Sequence, residues 1–153
     1  MLSTNAYLQP MLLCYAISTL VLLVKQKFVN FYGVNQNERP PEDADLPKMP
    51  VPTDIARRQR ALINDLENVP TDLAVFWAGA LVVLAGAIGG TCVAEALALT
   101  ILLPVYVGAR VAFTYCYLAA KQPYRTIFFV LGMCSVNSAV GVLVSAAVKV
   151  AAL

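Results

Sequence analysis

Hydrophobic positions fall into four long blocks separated by polar connections. Apolar residues run almost unbroken from about Ala6 to Val24, Leu73 to Thr91, Ala94 to Ala119 and Thr126 to Val148. Each block approaches the roughly 20 residues that an α-helix needs to cross a hydrocarbon core about 30 Å thick. None shows the ten-residue alternation of a barrel strand. Backbone in lipid must satisfy its own hydrogen bonds, so each block is predicted to be a spanning helix. The expected fold is all-α, a transmembrane four-helix bundle in a single domain over residues 1–153. Pro10 is expected in the opening turn of the first span, where a missing N–H costs little, and Pro104 is expected to kink the third. The opening "MLSTNAYLQPMLLCYAISTLVLLVK" lacks a positive leader and a small-residue cleavage site, and is read as a retained span.

Three connections remain. The first, about residues 25–70, contains "NERPPEDADLPKMPVP", whose prolines and acids predict irregular backbone. The other two, around "GGTCVAE" and "KQPYR", are short, so each joins antiparallel neighbours. Four spans put the first and third connections on one side and both termini on the other. Lys25, Lys27, Arg39, Lys48, Arg57, Arg58, Arg60, Lys121 and Arg125 lie on the loop side, with Lys149 alone opposite. The positive-inside rule then predicts loops in the cytosol. Gly79, Ala80, Gly86 and Gly89 on the second span, and the pair Gly108 and Ala112 on the third, are small residues of the kind that let helices approach closely.

Composition agrees with this reading. The chain is 59% hydrophobic and 13% charged, against about 25% charged for an ordinary soluble domain. A net charge of +2 without a basic tract argues against a nucleic-acid partner. There is no histidine, and Cys14, Cys92, Cys116 and Cys134 form no CxxC pair, so no metal site is expected. The thiols are expected to be reduced apolar packing groups.

The polar residues that interrupt this pattern carry the chemistry. In "RRQRALINDLENVPTDL" a helix is expected to start near Ile55, capped by Thr53 or Asp54. At about 100° per residue, Arg57, Arg60, Asn64 and Glu67 fall within roughly a quarter of the helix circumference and make one polar stripe, with Leu62 and Leu66 on the other side. In "GARVAFTYCYL" Arg110 lies inside an apolar helix, with Phe113, Thr114 and Tyr117 on its face. An unpaired arginine there costs several kcal/mol, so Asp65 or Glu67 is expected opposite it. Arg125, beside Thr126 at the start of the fourth span, adds a cation at the same end. Excess cations with one or two carboxylates suit a small zwitterionic or anionic ligand, and a nearby cation would raise the thiolate fraction of a bound thiol.

"RRQRALINDLENV", followed by "VGARVAFTYCYL" and "QPYRTIFFVLG", closely resembles the MAPEG family, the membrane-associated proteins of eicosanoid and glutathione metabolism. Within it the sequence looks most like the microsomal glutathione transferase branch, which the "PED" of the first connection also fits. The resemblance implies a homotrimer with glutathione bound between subunits near the cytosolic face, in the endoplasmic reticulum or mitochondrial membrane. It implies glutathione contacts at Arg60, Asn64, Glu67, Tyr117 and Arg125, with Arg57 and Asp65 in supporting positions and Arg110 as a family arginine inside the bundle. By that analogy Arg125 stabilises the glutathione thiolate and Thr126 supplies a hydroxyl; Glu67 holds the amino end and the arginines the carboxylates. The second substrate would be a lipophilic electrophile arriving through the membrane lipid. Leu62 and Phe113 stand where family members commonly carry histidines, and Asn37, with Arg39 only nearby, stands where an arginine often follows the first helix. The implied activity is detoxifying transfer of glutathione, with hydroperoxide reduction beside it. The alternatives are a glutathione-dependent eicosanoid synthase or isomerase, and a non-catalytic subunit of a larger membrane complex.

Overall fold

The computed structural model describes residues 5–33, 53–87 and 90–153, without the side chains of residues 5, 30–33 and 53–56. These residues form four helices: α1 (Asn5–Gly33), α2 (Thr53–Ala87), α3 (Val93–Leu118) and α4 (Tyr124–Ala151). All four are long and apolar enough to cross a membrane. Helices α2 and α3 lie against each other; α1 and α4 each pack on both of them but not on one another. The pair α2/α3 is therefore the centre of the bundle.

Helices α1, α2 and α4 are longer than their hydrophobic blocks suggest, whereas α3 matches its block in length. Helix α2 continues unbroken through Pro70 from Thr53, well inside the expected connection, and ends at Ala87 rather than Thr91. Polar residues can extend a helix at its mouth because water replaces the lipid there. Helix α1 begins by Asn5, which places Pro10 one turn deeper than its opening turn. The acidic, proline-rich connection and the side chains of Thr53 and Asp54 lie outside the described residues.

Proline removes one N–H from a helix and frees the carbonyl four residues earlier. In α3 Pro104 frees Thr100, whose carbonyl accepts a contact from Cys14 Sγ of α1 at 3.5 Å. Tyr15 ties α1 to α2 in the same layer: its hydroxyl donates to the Phe76 carbonyl at 3.3 Å, and its ring meets Trp77 edge-on. Around these residues Met11, Leu22, Val83, Leu99 and Leu103 complete an apolar core.

Two expectations about small residues and thiols are corrected. Gly108 is exposed, with open space where a Cβ would project, so the Gly108/Ala112 pair brings no helix of this subunit close. The close approaches are at Gly79 and Gly86. A Cβ on Gly86 would lie 2.6 Å from Cys92 Sγ and 2.9 Å from Val150 Cγ2. Cys92 and Cys116 are buried packing groups as expected, but Cys14 is only half-buried and Cys134 is exposed on α4.

Both ends of the α2–α3–α4 path close with the same hydrogen-bond pattern. Thr91 N–H donates to the Gly86 carbonyl and Gly90 N–H to that of Ala87, with Gly90 at φ +67°. Lys121 N–H donates to the Cys116 carbonyl and Ala120 N–H to that of Tyr117, with Ala120 at φ +54°. This left-handed closure favours glycine; in the second turn an alanine adopts it against steric resistance. Two substitutions should therefore have opposite signs in thermal unfolding of the detergent-solubilised protein. Ala120→Gly is expected to stabilise by roughly 0.5–1 kcal/mol, and Gly86→Ala to destabilise by about 1–3 kcal/mol through overpacking.

Candidate functional site

The described cations other than Lys149 gather at the end of the bundle where α1 finishes and α2 begins, called here the basic end. At its centre is a buried cluster drawn from three helices. Asp65 of α2, 1% exposed, takes Lys25 Nζ of α1 on one carboxylate oxygen at 2.8 Å and Arg110 NH2 of α3 on the other at 2.6 Å. Lys25 Nζ also donates to Thr114 Oγ1 at 3.3 Å, and Thr114 in turn donates to the Arg110 carbonyl at 3.0 Å. Arg110 NH2 reaches Asn64 twice, at Oδ1 (2.8 Å) and at the main-chain oxygen (3.3 Å). Its guanidinium lies 5.1 Å from the centroid of the Phe113 ring. Helix α4 covers the side chain at Gly132, where even an added Cβ would lie in ordinary contact, 3.8 Å from Arg110 Cδ.

Burying ions is costly, and such a cluster persists only when each charge has close partners. The expected counter-charge for Arg110 is thus Asp65 and not Glu67. The three ionic side chains carry formal charges of +1, +1 and −1, leaving an excess of one positive charge beneath the helix mouths.

The α2 stripe is arranged differently. The buried positions Ala61, Leu62, Asp65, Val69 and Phe76 define the face of α2 turned into the bundle. Arg57, Arg60 and Glu67 are exposed, about a third of a turn round the helix from Asp65. None of the three has a hydrogen bond or ion pair among the described residues. Asn64 sits half-buried at the boundary between the two faces. Leu62 and Leu66, one turn apart on the same side of α2, differ in burial: Leu62 is buried and Leu66 is exposed.

Across the bundle, Arg125 of α4 stacks over the Tyr117 ring of α3 with 4.7 Å between guanidinium carbon and centroid. Both are half-buried, and Thr126 is exposed beside them. Lys121 stacks similarly on exposed Tyr115 at 5.1 Å. Of the residues singled out from sequence, the fold brings Arg110 to Asp65 and Asn64, and Arg125 to Tyr117; Arg57, Arg60, Glu67 and Thr126 make no side-chain hydrogen bond, ion pair or ring contact with the others among the described residues. Leu62 and Phe113 are both buried apolar residues.

Several polar partners were not anticipated. Lys25 reads in sequence as one more loop-side charge, yet its ammonium turns inward. Tyr106 donates to Asp72 Oδ2 at 2.7 Å, roughly one and a half to two turns further into the membrane than Asp65. At the far end Glu95 accepts from Ser145 at 2.8 Å and pairs with Lys149 at 2.6 Å, joining the first turn of α3 to the last of α4. An acidic residue at the edge of an apolar block was the available signal for Asp72 and Glu95. Among the described residues no three His, Cys, Asp or Glu side chains are grouped to hold a metal ion.

Four spanning helices with an ion-pair cluster buried between the first three define an integral, multi-pass membrane protein. The profile of the MAPEG family matches residues 8–145, and the chain belongs to that family of membrane proteins associated with glutathione and eicosanoid metabolism. No curated protein and no solved structure matches the chain.

The cluster makes an asymmetric prediction. Asp65→Ala leaves two buried cations without their counter-charge and is expected to cost about 3–5 kcal/mol. Lys25→Met leaves the Asp65–Arg110 pair neutral and intact and should cost clearly less. Thermal unfolding of both variants in one detergent would check the order; equal losses would show that Lys25 and Asp65 do not act as described.

Proposed function

We propose that the protein is a membrane-bound glutathione transferase that joins the glutathione thiolate to lipophilic electrophiles, acts on lipid hydroperoxides as well, and works as a homotrimer with its basic end facing the cytosol of an endoplasmic-reticulum or mitochondrial membrane. The observation that carries this reading is the division of charge at the basic end. Asp65 and Arg110 pair inside the subunit, whereas Arg60 and Glu67, one helical face away, are exposed and have no ion pair among the described residues. A tripeptide with two carboxylates and an ammonium group offers complementary partners for such a face.

In this reading Glu67 receives the ammonium group, and Arg57 and Arg60 receive carboxylates. Arg125 stabilises the thiolate, its guanidinium backed by the Tyr117 ring at 4.7 Å, and Thr126 supplies a further hydroxyl. The bound thiolate is itself the nucleophile, so no protein nucleophile is required. With a chlorinated dinitrobenzene, sulfur attacks the ring carbon, the C–S bond forms, and chloride leaves with the bonding pair. The protein's contribution is proximity and a fixed positive field. Within the family, a synthase or isomerase acting on an eicosanoid would use the same thiolate.

A second reading rests on Leu62 and Phe113, two buried apolar residues at positions where the family resemblance leads one to expect histidine. In it the chain is a non-catalytic subunit of a larger membrane assembly. Conjugation by the purified protein, glutathione calorimetry and the mass of the solubilised assembly separate the two. Turnover from a free trimer supports the transferase; absence of both turnover and glutathione binding rejects it. For a transferase, Arg125→Ala should lower turnover by about 10²–10³-fold while changing glutathione affinity much less. Equal loss in both would mean that Arg125 binds the tripeptide without acting on its sulfur.

A further inference from the structure

We infer that Arg110 is a positioning residue: it turns the Asn64 carboxamide oxygen inward so that the N–H donors of the amide are left for the ligand face, and so recognises a carboxylate or carbonyl oxygen of the bound ligand. This rests on the glutathione reading and assigns a polarity to one of its contacts.

The orientation follows from donor chemistry. A carboxamide has an oxygen and a nitrogen end that look alike in outline. Arginine has donors only. The Asn64 side-chain atom 2.8 Å from Arg110 NH2 must therefore be its oxygen. The Asn64 main-chain oxygen is also occupied, by Arg110 at 3.3 Å and by Asn68 Nδ2 at 2.7 Å. The carboxamide oxygen of Asn64 is thus turned toward Arg110, and its main-chain oxygen is doubly engaged. Its Nδ2 has no partner among the described residues and is not sealed from the surface, because Asn64 is half-buried at the edge of the stripe. What remains for a ligand is a pair of N–H donors.

Arg110 is itself held. Asp65 binds it at 2.6 Å, Lys25 binds the other oxygen of Asp65 at 2.8 Å, and Arg110 is 2% exposed. The guanidinium is therefore shut away from any ligand on the exposed stripe. Its influence reaches that face through the amide it clamps. For Arg110, placed inside the bundle by the family resemblance, this assigns an indirect role in glutathione binding.

Asn64→Asp is the discriminating substitution. It keeps the shape and an oxygen for Arg110, but replaces both donors with an acceptor and adds negative charge. Calorimetry with glutathione on the intact, detergent-solubilised assembly is expected to show affinity weakened roughly tenfold or more, with the unfolding temperature not lowered. Arg110→Lys retains the charge needed by Asp65 but loses the planar fork that spans Asp65 and Asn64; it should weaken binding by a smaller factor. If Arg110 acts through Asn64, the double variant binds no more weakly than Asn64→Asp alone. Unchanged affinity in Asn64→Asp, or losses that multiply in the double variant, would overturn the inference. Failure of the unsubstituted protein to bind glutathione would instead remove the transferase reading, so the two failures are distinct.

Discussion

Everything at the basic end depends on one carboxylate. Asp65 is the only acid in the buried cluster, and it holds a cation from the helix before it and a cation from the helix after it. In a bilayer, apolar side chains gain little by leaving lipid for one another, so packing alone fixes helix positions weakly. A desolvated charge is different: it tolerates few arrangements of its neighbours. One aspartate thereby sets the relative depth of α1, α2 and α3, and the depth of the Arg57, Arg60 and Glu67 side chains follows from it.

The same constraint separates structural charge from chemical charge. Both kinds occur within seventeen residues of "RRQRALINDLENVPTDL". Helical geometry distributes them: Asp65 turns inward, Arg60 and Glu67 turn outward, and Asn64 lies between. Asn64 is thus bonded to the buried cluster through Arg110 while remaining half-buried at the edge of the stripe. The excess positive charge of the cluster lies beneath the face where, in the proposed function, an anionic thiolate is held.

The four helices were legible because long apolar blocks admit few alternatives in lipid. Their ends were not, since helix termination depends on hydrogen bonds such as the left-handed closures at Gly90 and Ala120, and polar mouths can remain helical in water. The stripe on α2 was legible from the 3.6-residue period. The pairing of Arg110 could be narrowed to two acids, and only burial distinguished Asp65 from Glu67. Lys25 was missed because a lysine at the end of a span ordinarily reaches toward water; here an aspartate and a threonine from two other helices turn it inward. Residues such as Glu95 and Ser145 are far apart in sequence, and nothing in either local pattern announces the other.

The far-end link of Glu95 with Ser145 and Lys149 bears on how the bundle can move. Among the described residues it supplies the only hydrogen bonds and ion pair from α4 to another helix. Elsewhere α4 is held by packing and by the Arg125 and Phe129 ring contacts. Helix α4 is thus anchored at both tips, by this polar link at one and by the five-residue connection from α3 at the other, so Arg125 keeps its place beside Tyr117 while the stretch between rests on packing.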